Sequence, residues 1–211
     1  MSGAASGWDA DDDLLERAVC GDDRIFLREG RAPACDAAVQ ILIDLSGSVG
    51  VEGGAIVRTA AVRLEEALKR TQGIRCRTAV FPDAAGRGPL LASEWETPPG
   101  GSRRVLASLP SRGPPPITQT LLWSLFSLGH RPEPTKLLIL FTDGVFAADD
   151  CRAEEAALKL AGIETAAVLL NLHQTVPGRR LFEKETRVVR NAAEIPLALY
   201  EVLRDWRRRH P

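Results

Sequence analysis

The run Val39-Gln40-Ile41-Leu42-Ile43-Asp44-Leu45-Ser46-Gly47-Ser48 constrains this chain more than any other stretch. An apolar segment of strand length, interrupted only by Gln40, marks a strand covered on both faces. It ends in a carboxylate, and two hydroxyls follow at alternate positions. Alternation in a tight loop turns Asp44, Ser46 and Ser48 toward one point above the end of the strand. Three hard oxygen donors suit a hard divalent cation better than covalent chemistry. A second apolar run, Lys136–Phe141, ends in Thr142-Asp143-Gly144. Two strands that deliver an aspartate to the same edge of a sheet outline a metal site.

Around these runs the pattern alternates strand and helix. Strand Val39–Leu45 leads into a helix over Gly53–Thr71, with Ile56, Val57, Ala60, Ala61, Leu64, Ala67 and Leu68 on one face. Gly73 stops it, and Ile74–Phe81 follows as a strand. Residues 82–101 are rich in proline and glycine and read as a loop or ribbon, with a short strand near Leu90–Trp95. A short helix Ser102–Leu109 and a rigid connector Arg112-Gly-Pro-Pro-Pro-Ile117 precede a helix over Thr118–His130. Strand Lys136–Phe141, helix Cys151–Ala161, strand Thr165–Leu170, a final short strand at Val188-Val189 and helix Ala192–Arg208 complete the series. This order predicts an α/β fold, a Rossmann-like, doubly wound, mostly parallel sheet with helices on both faces. In such sheets, sites form outside the carboxyl ends of strands, where Asp44 and Asp143 both stand. Residues 1–37 are polar and irregular apart from an N-capped helical turn after Asp9–Asp13, and read as an arm; 38–211 form the domain.

Composition removes several function classes. With 211 residues and a net charge of −1, the chain has length for a core and no basic surface for nucleic acid. The arginines Arg204, Arg207, Arg208 and Arg209 read as the solvated end of a helix, favouring its own dipole. Cys20, Cys35, Cys76 and Cys151 form no Cys-x-x-Cys pair, so a zinc site of that type is not expected, and Cys76 and Cys151 read as buried thiols. The first residues lack the basic start and apolar stretch of a signal peptide. No apolar run reaches the roughly 20 residues that span a bilayer. A reduced, cytoplasmic protein without membrane association is the expectation.

A third loop on the same side would complete a cation site. Thr118-Gln119-Thr120, at a helix start just after the prolines, offers two hydroxyls. Either Thr118 ligates while Thr120 caps the helix, or the reverse; Thr118 is preferred. Together, Asp44-Leu45-Ser46-Gly47-Ser48, Thr118 and Thr142-Asp143-Gly144 resemble the three pieces of the metal-ion-dependent adhesion site of von Willebrand factor A (VWA) domains. The resemblance runs from about Ala37 to Arg208, in the expected order. It implies Ser46, Ser48 and Thr118 as direct ligands of Mg²⁺, with Mn²⁺ or Ca²⁺ as other occupants. Asp44 and Asp143 would act directly or through water. It also implies an open metal position filled by an Asp or Glu of a protein partner. The stretches Thr118–Leu125 and Arg187–Tyr200 are similar to the VWA domains of cobaltochelatase CobT-type and NorD-like proteins, which work with MoxR- or CobS-type AAA+ ATPases in metal insertion or complex assembly. The chain departs from the pattern at Ile117, preceded by three prolines, and at Val49, where methionine is frequent.

An enzyme is not expected. Asp44 could be read as the phosphoryl acceptor of a phosphate-handling hydrolase, but the second carboxylate that such chemistry uses two residues on is Ser46 here. Ser48 lacks a Gly-x-Ser-x-Gly elbow, and no Gly-x-x-x-x-Gly-Lys-Ser/Thr loop is present. A VWA scaffold without metal is the other alternative. Trp95, Trp123 and Trp206 read as packing residues on separate elements, without basic interleaving. Trp8, beside the acidic run, reads as folded back or as a docking peptide.

Overall fold

The computed structural model describes residues 36–86, 88–146, 151–171, 182 and 185–210. Most of the expected arm, with Trp8, Asp9–Asp13, Cys20 and Cys35, lies outside these residues, as do His173 and the Arg179-Arg180 pair. The elements run β1 (Ala37–Asp44), α1 (Gly50–Arg70), β2 (Ile74–Phe81), β3 (Leu90–Ser93), α2 (Ser102–Ser108), α3 (Ile117–Gly129), β4 (Thr135–Thr142), α4 (Arg152–Leu160), β5 (Ile163–Leu170), β6 (Thr186–Val189) and α5 (Ile195–Arg209).

The strands form one sheet in the order β3-β2-β1-β4-β5-β6. Every pairing is parallel except that of β2 with β3. This is the mostly parallel α/β architecture that the apolar runs predict. All eight residues of β1 are buried, as a central strand covered on both faces requires. Side-chain alternation divides them between two layers. Val39, Ile41 and Ile43 join Val57, Leu64 and Leu68 of α1, Leu106 of α2, and Leu199 and Trp206 of α5. Ala38 and Leu42 face the other way, with Ile117 and Leu121 of α3 and Leu158 of α4.

The differences from the sequence reading lie at element ends. Helix α1 begins at Gly50, because the Gly50 amide closes a turn on Gly47 O at 3.3 Å and the helix continues through Gly53 and Gly54. Glycine at 54 has a packing reason: a Cβ there would collide with Ser111 Oγ. Strand β6 starts two residues earlier than Val188, because Thr186 and Arg187 pair with Ala167 and Val168. The guanidinium of Arg187 is turned to Glu201 and Asp205 of α5, so its charge is compatible with a strand. The last helix is preceded by a 3₁₀ turn, Ala192–Glu194, capped by Asn191 Oδ1, which accepts from Ala193 N at 3.0 Å. Pro196 has no amide to give and fits the first turn that follows.

Trp95 and Trp123 pack, but not without a basic residue. Arg77 of β2 lies over both rings, 4.8 and 4.4 Å from their centroids, and Arg131 stands over Trp95 at 4.7 Å. Arg77 Nε donates to Gln40 Oε1 at 3.2 Å, and Ser127 Oγ donates to the same oxygen at 2.8 Å. Gln40 Nε2 in turn donates to Ser124 Oγ, so a buried polar network joins β1, β2 and α3.

Candidate metal centre

The sheet order determines where a site can form. From β1 the chain crosses to β2 on one side, and β4 lies on the other, so the direction of winding reverses between β1 and β4. A crevice opens outside the carboxyl ends of strands at such a reversal. Asp44 ends β1 and Thr142 ends β4. The register Ile43↔Phe141 puts Thr142 level with Asp44.

Asp44 is fully buried. Its Oδ1 accepts from the Ser46 amide at 2.8 Å, and its Oδ2 accepts from Thr142 Oγ1 at 2.7 Å. Among the described residues no lysine or arginine pairs with it. Burial pushes the Asp44 carboxyl up to about 6. The Ser46 hydroxyl and amide and the Thr142 hydroxyl pull the other way, and the neighbouring charge of Asp143 adds to the rise. A carboxylate in this state lacks a positive partner, and a cation would supply one.

The hydroxyls of Ser46 and Ser48 stand together, with their Oγ atoms 3.1 Å apart. Ser46 is buried, while Ser48 faces solvent. Two oxygens on neighbouring corners of a magnesium octahedron with bonds of about 2.0–2.1 Å lie about 3 Å apart, so the observed pair fits adjacent ligand positions. The loop that carries them is pinned by backbone bonds: Leu45 N to Phe81 O at 2.7 Å, Arg112 N to Leu45 O at 2.8 Å, and Gly47 N to Gly113 O at 2.9 Å. The proline-rich connector is therefore a clamp on the Asp44–Ser48 loop as well as a spacer. Gly113 adopts a φ of 74°, which favours glycine at that position.

Asp143 is half-buried and its Oδ1 accepts from Val145 N at 3.0 Å, closing an Asx turn after β4. It reaches Asp44 through charge. The two threonines of α3 behave differently. Thr120 is buried and its Oγ1 donates to Pro116 O at 2.8 Å, so it serves its own helix. Thr118 is half-buried, and its Oγ1 lies 3.8 Å from Cys151 Sγ. Hydrogen bonds and charge thus join Asp44, Ser46, Ser48 and Asp143. Thr118 stands at the same edge without bonding to them among the described residues.

Sequence reasoning missed two residues here. Thr142 was visible only as part of Thr-Asp-Gly; its role depends on a strand register. Cys151 stood out only as a thiol, and nothing local ties it to Thr118. Among the described residues, no three His, Cys, Asp or Glu side chains gather into a metal site. A shallow cavity of about 90 Å³ lies away from this group, lined by Thr165, Arg187, Asp205, Trp206 and Arg209 among others. Its arginines are already paired, Arg187 with Glu201 and Asp205, and Arg209 with Glu164.

Neither a protein-family model nor a curated protein matches the sequence. Solved structures do match. The VWA domain of SpRpn10 aligns over 78% of this chain and 94% of its own, with a TM-score of 0.56 and 12% identity. The fold is that of a VWA domain. The pilus adhesin SpaC from Lactobacillus rhamnosus GG, in an open conformation, aligns over 83% of this chain at a TM-score of 0.61 and 14% identity. Proximal thread matrix protein 1 from the mussel byssus, solved with a zinc-occupied MIDAS motif, aligns over 82% at a TM-score of 0.60 and 18% identity. The chain spans 30% of the SpaC chain and 48% of the byssus protein. One of these similar structures thus holds zinc in a MIDAS motif. Among the described residues, no helix is long and apolar enough to cross a membrane.

Proposed function

We propose that this chain is a metal-dependent protein-interaction domain. Ser46, Ser48 and Thr118 hold a divalent cation, Mg²⁺ in the cell, with Asp44 and Asp143 acting directly or through water. Mn²⁺ and Ca²⁺ fit the same oxygen donors. The observation that carries this reading is the buried Asp44 carboxylate, next to a second aspartate and a pair of hydroxyls, with no cationic side chain among the described residues to balance it. A site rich in neutral hydroxyls leaves net positive charge on the ion and an open position. An Asp or Glu of a partner protein fills that position, so the cation becomes part of the interface.

The partner proposed is an AAA+ ATPase of the MoxR or CobS type, in the cytoplasm, with the pair acting in complex assembly or metal insertion. This rests on the likeness of Thr118–Leu125 and Arg187–Tyr200 to CobT-type and NorD-like domains. A non-enzymatic role is part of the proposal: the second carboxylate that a phosphoryl acceptor uses two residues on is Ser46 here.

Thermal unfolding with Mg²⁺ and with Mn²⁺, on wild type and Asp44→Ala, tests the site. At a free-metal concentration a hundred times Kd, binding to the native state adds about 2.7 kcal/mol. That corresponds to a rise in Tm of about 5–10 °C for a domain of this size. The rise is expected in wild type and absent in the variant. An equal rise in both would place the metal elsewhere and sink the proposal. Capture of a purified MoxR-type ATPase in Mg²⁺, reversed by EDTA, tests the partner; capture unaffected by EDTA and by Asp44→Ala would remove the metal from the interface.

A further inference from the structure

We propose that Cys151 is the positioning residue for Thr118, fixing the orientation of its side chain at the start of α3 through the contact of thiol and hydroxyl; this rests on the reading of Asp44, Ser46, Ser48, Thr118 and Asp143 as a metal site. A threonine in the first turn of a helix has a competing use for its hydroxyl, because backbone carbonyls one turn back are ready acceptors. Thr120 makes that choice and donates to Pro116 O at 2.8 Å. Thr118, two residues earlier on α3, does not make such a bond among the described residues. Its Oγ1 lies against Cys151 Sγ at 3.8 Å instead.

The thiol is held firmly enough to serve. Cys151 is 1% exposed and packs in the layer that contains Ile117, Leu121 and Leu158. It stands immediately before α4, whose Glu155 amide donates to the Cys151 carbonyl at 2.9 Å. Sulfur is a weak hydrogen-bond partner, so it orients the hydroxyl without occupying it strongly, and the oxygen keeps lone pairs for an ion. Asp143, just after β4, borders Asp44 by charge, and Cys151, just before α4, touches Thr118. A serine at 151 would keep a donor and acceptor at this place. A valine would fill similar volume and offer neither.

The test titrates Mn²⁺ into the full chain and counts bound ion by electron paramagnetic resonance, for wild type, Thr118→Ala, Cys151→Val and Cys151→Ser. Partners that orient a metal ligand commonly contribute about tenfold or more in affinity. Thr118→Ala and Cys151→Val are both expected to lose about that much, and Cys151→Ser to stay closer to wild type. Metal-free melting temperatures separate a folding defect from a loss of positioning, and Cys151→Ala serves where valine is not accommodated. Wild-type affinity in Cys151→Val or Cys151→Ala, beside a loss in Thr118→Ala, would overturn the positioning role and leave the metal site standing. Absence of Mn²⁺ binding in wild type would overturn both.

Discussion

Thr142 Oγ1 donates a 2.7 Å hydrogen bond to Asp44 Oδ2 across the two central strands. The same hydroxyl accepts from Gly144 N at 3.0 Å, so one side chain braces both aspartate-bearing loops. Thr142→Val keeps the shape and removes the oxygen, leaving the Gly144 amide and one Asp44 oxygen without this partner. Each buried group left unsatisfied costs about 1–3 kcal/mol. The metal-free variant is therefore expected to lose about 2–6 kcal/mol in urea unfolding. Thr142→Ser should recover most of it. A loss no larger than that of an exposed Thr→Val control would show that the bond is not made in solution.

Acid should act in two opposite ways through Asp44. Its carboxyl is raised from 3.8 to about 6 in the folded chain. The native state thus binds the proton more tightly than the unfolded state does. This stability is fully present below about 4 and is lost as pH rises through about 6, in total about 3 kcal/mol at 1.36 kcal/mol per unit. At the proposed metal site, affinity is expected to run the other way, because the proton and the cation would compete for the negative charge of Asp44. In Mg²⁺ the Tm rise should be full at pH 7–8 and fade as pH drops below about 6. Thermal scans from pH 4 to 8, with Mg²⁺ or EDTA, read both trends. Asp44→Asn should flatten both, and a metal-induced rise that stays constant down to pH 4 would argue against Asp44 as part of the site.

The two threonines of α3 give a sharper contrast. Thr118 and Thr120 are indistinguishable as letters, but Thr120 spends its hydroxyl on Pro116 O and Thr118 does not. Thr120→Ala should cost about 0.5–1.5 kcal/mol of stability, the worth of one hydrogen bond, and leave Mg²⁺ affinity unchanged. Thr118→Ala should do the reverse. The reversed outcome, with Thr120→Ala abolishing the Mg²⁺ response, would exchange their roles.

Much of this architecture was legible because parallel strands are buried on both faces. Val39–Ile43, broken only by Gln40, and Leu137–Phe141 are apolar runs; Asp44 follows the first directly, and Asp143 follows the second after Thr142. What the letters hide is contact over long separations. Thr142 becomes a partner of Asp44 only through the Ile43↔Phe141 register. The connector at Arg112 and Gly113 clamps the serine loop by backbone bonds, which carry no side-chain signature. Arg187 looks like loop because it is charged, yet it lies in β6 with its guanidinium paired to Glu201 and Asp205 of α5. Trp95 and Trp123 read as separate packing residues because nothing in sequence brings Arg77 between them.

That arginine carries the last prediction. Arg77 is 8% exposed, lies over two indole rings and donates to Gln40 Oε1. Burial and the nearby charge of Arg131 press its proton affinity down to about 10, while Glu94 supports the charge. It therefore stays ionised at neutral pH, and the aromatic faces and the Gln40 oxygen stand in for lost water. Lysine has no planar fork to stack between the rings and hold the Gln40 oxygen, so Arg77→Lys is not conservative here. Arg77→Ala is expected to cost about 2–4 kcal/mol, from two cation–aromatic contacts and a broken buried network. Arg77→Lys should recover less than half of that. Because this cluster packs at the middle of β1 rather than at its carboxyl end, the Mg²⁺-induced Tm rise should persist in both variants under conditions where they remain folded. Loss of the metal response in a folded Arg77→Lys chain would instead tie the aromatic cluster to the site through β1.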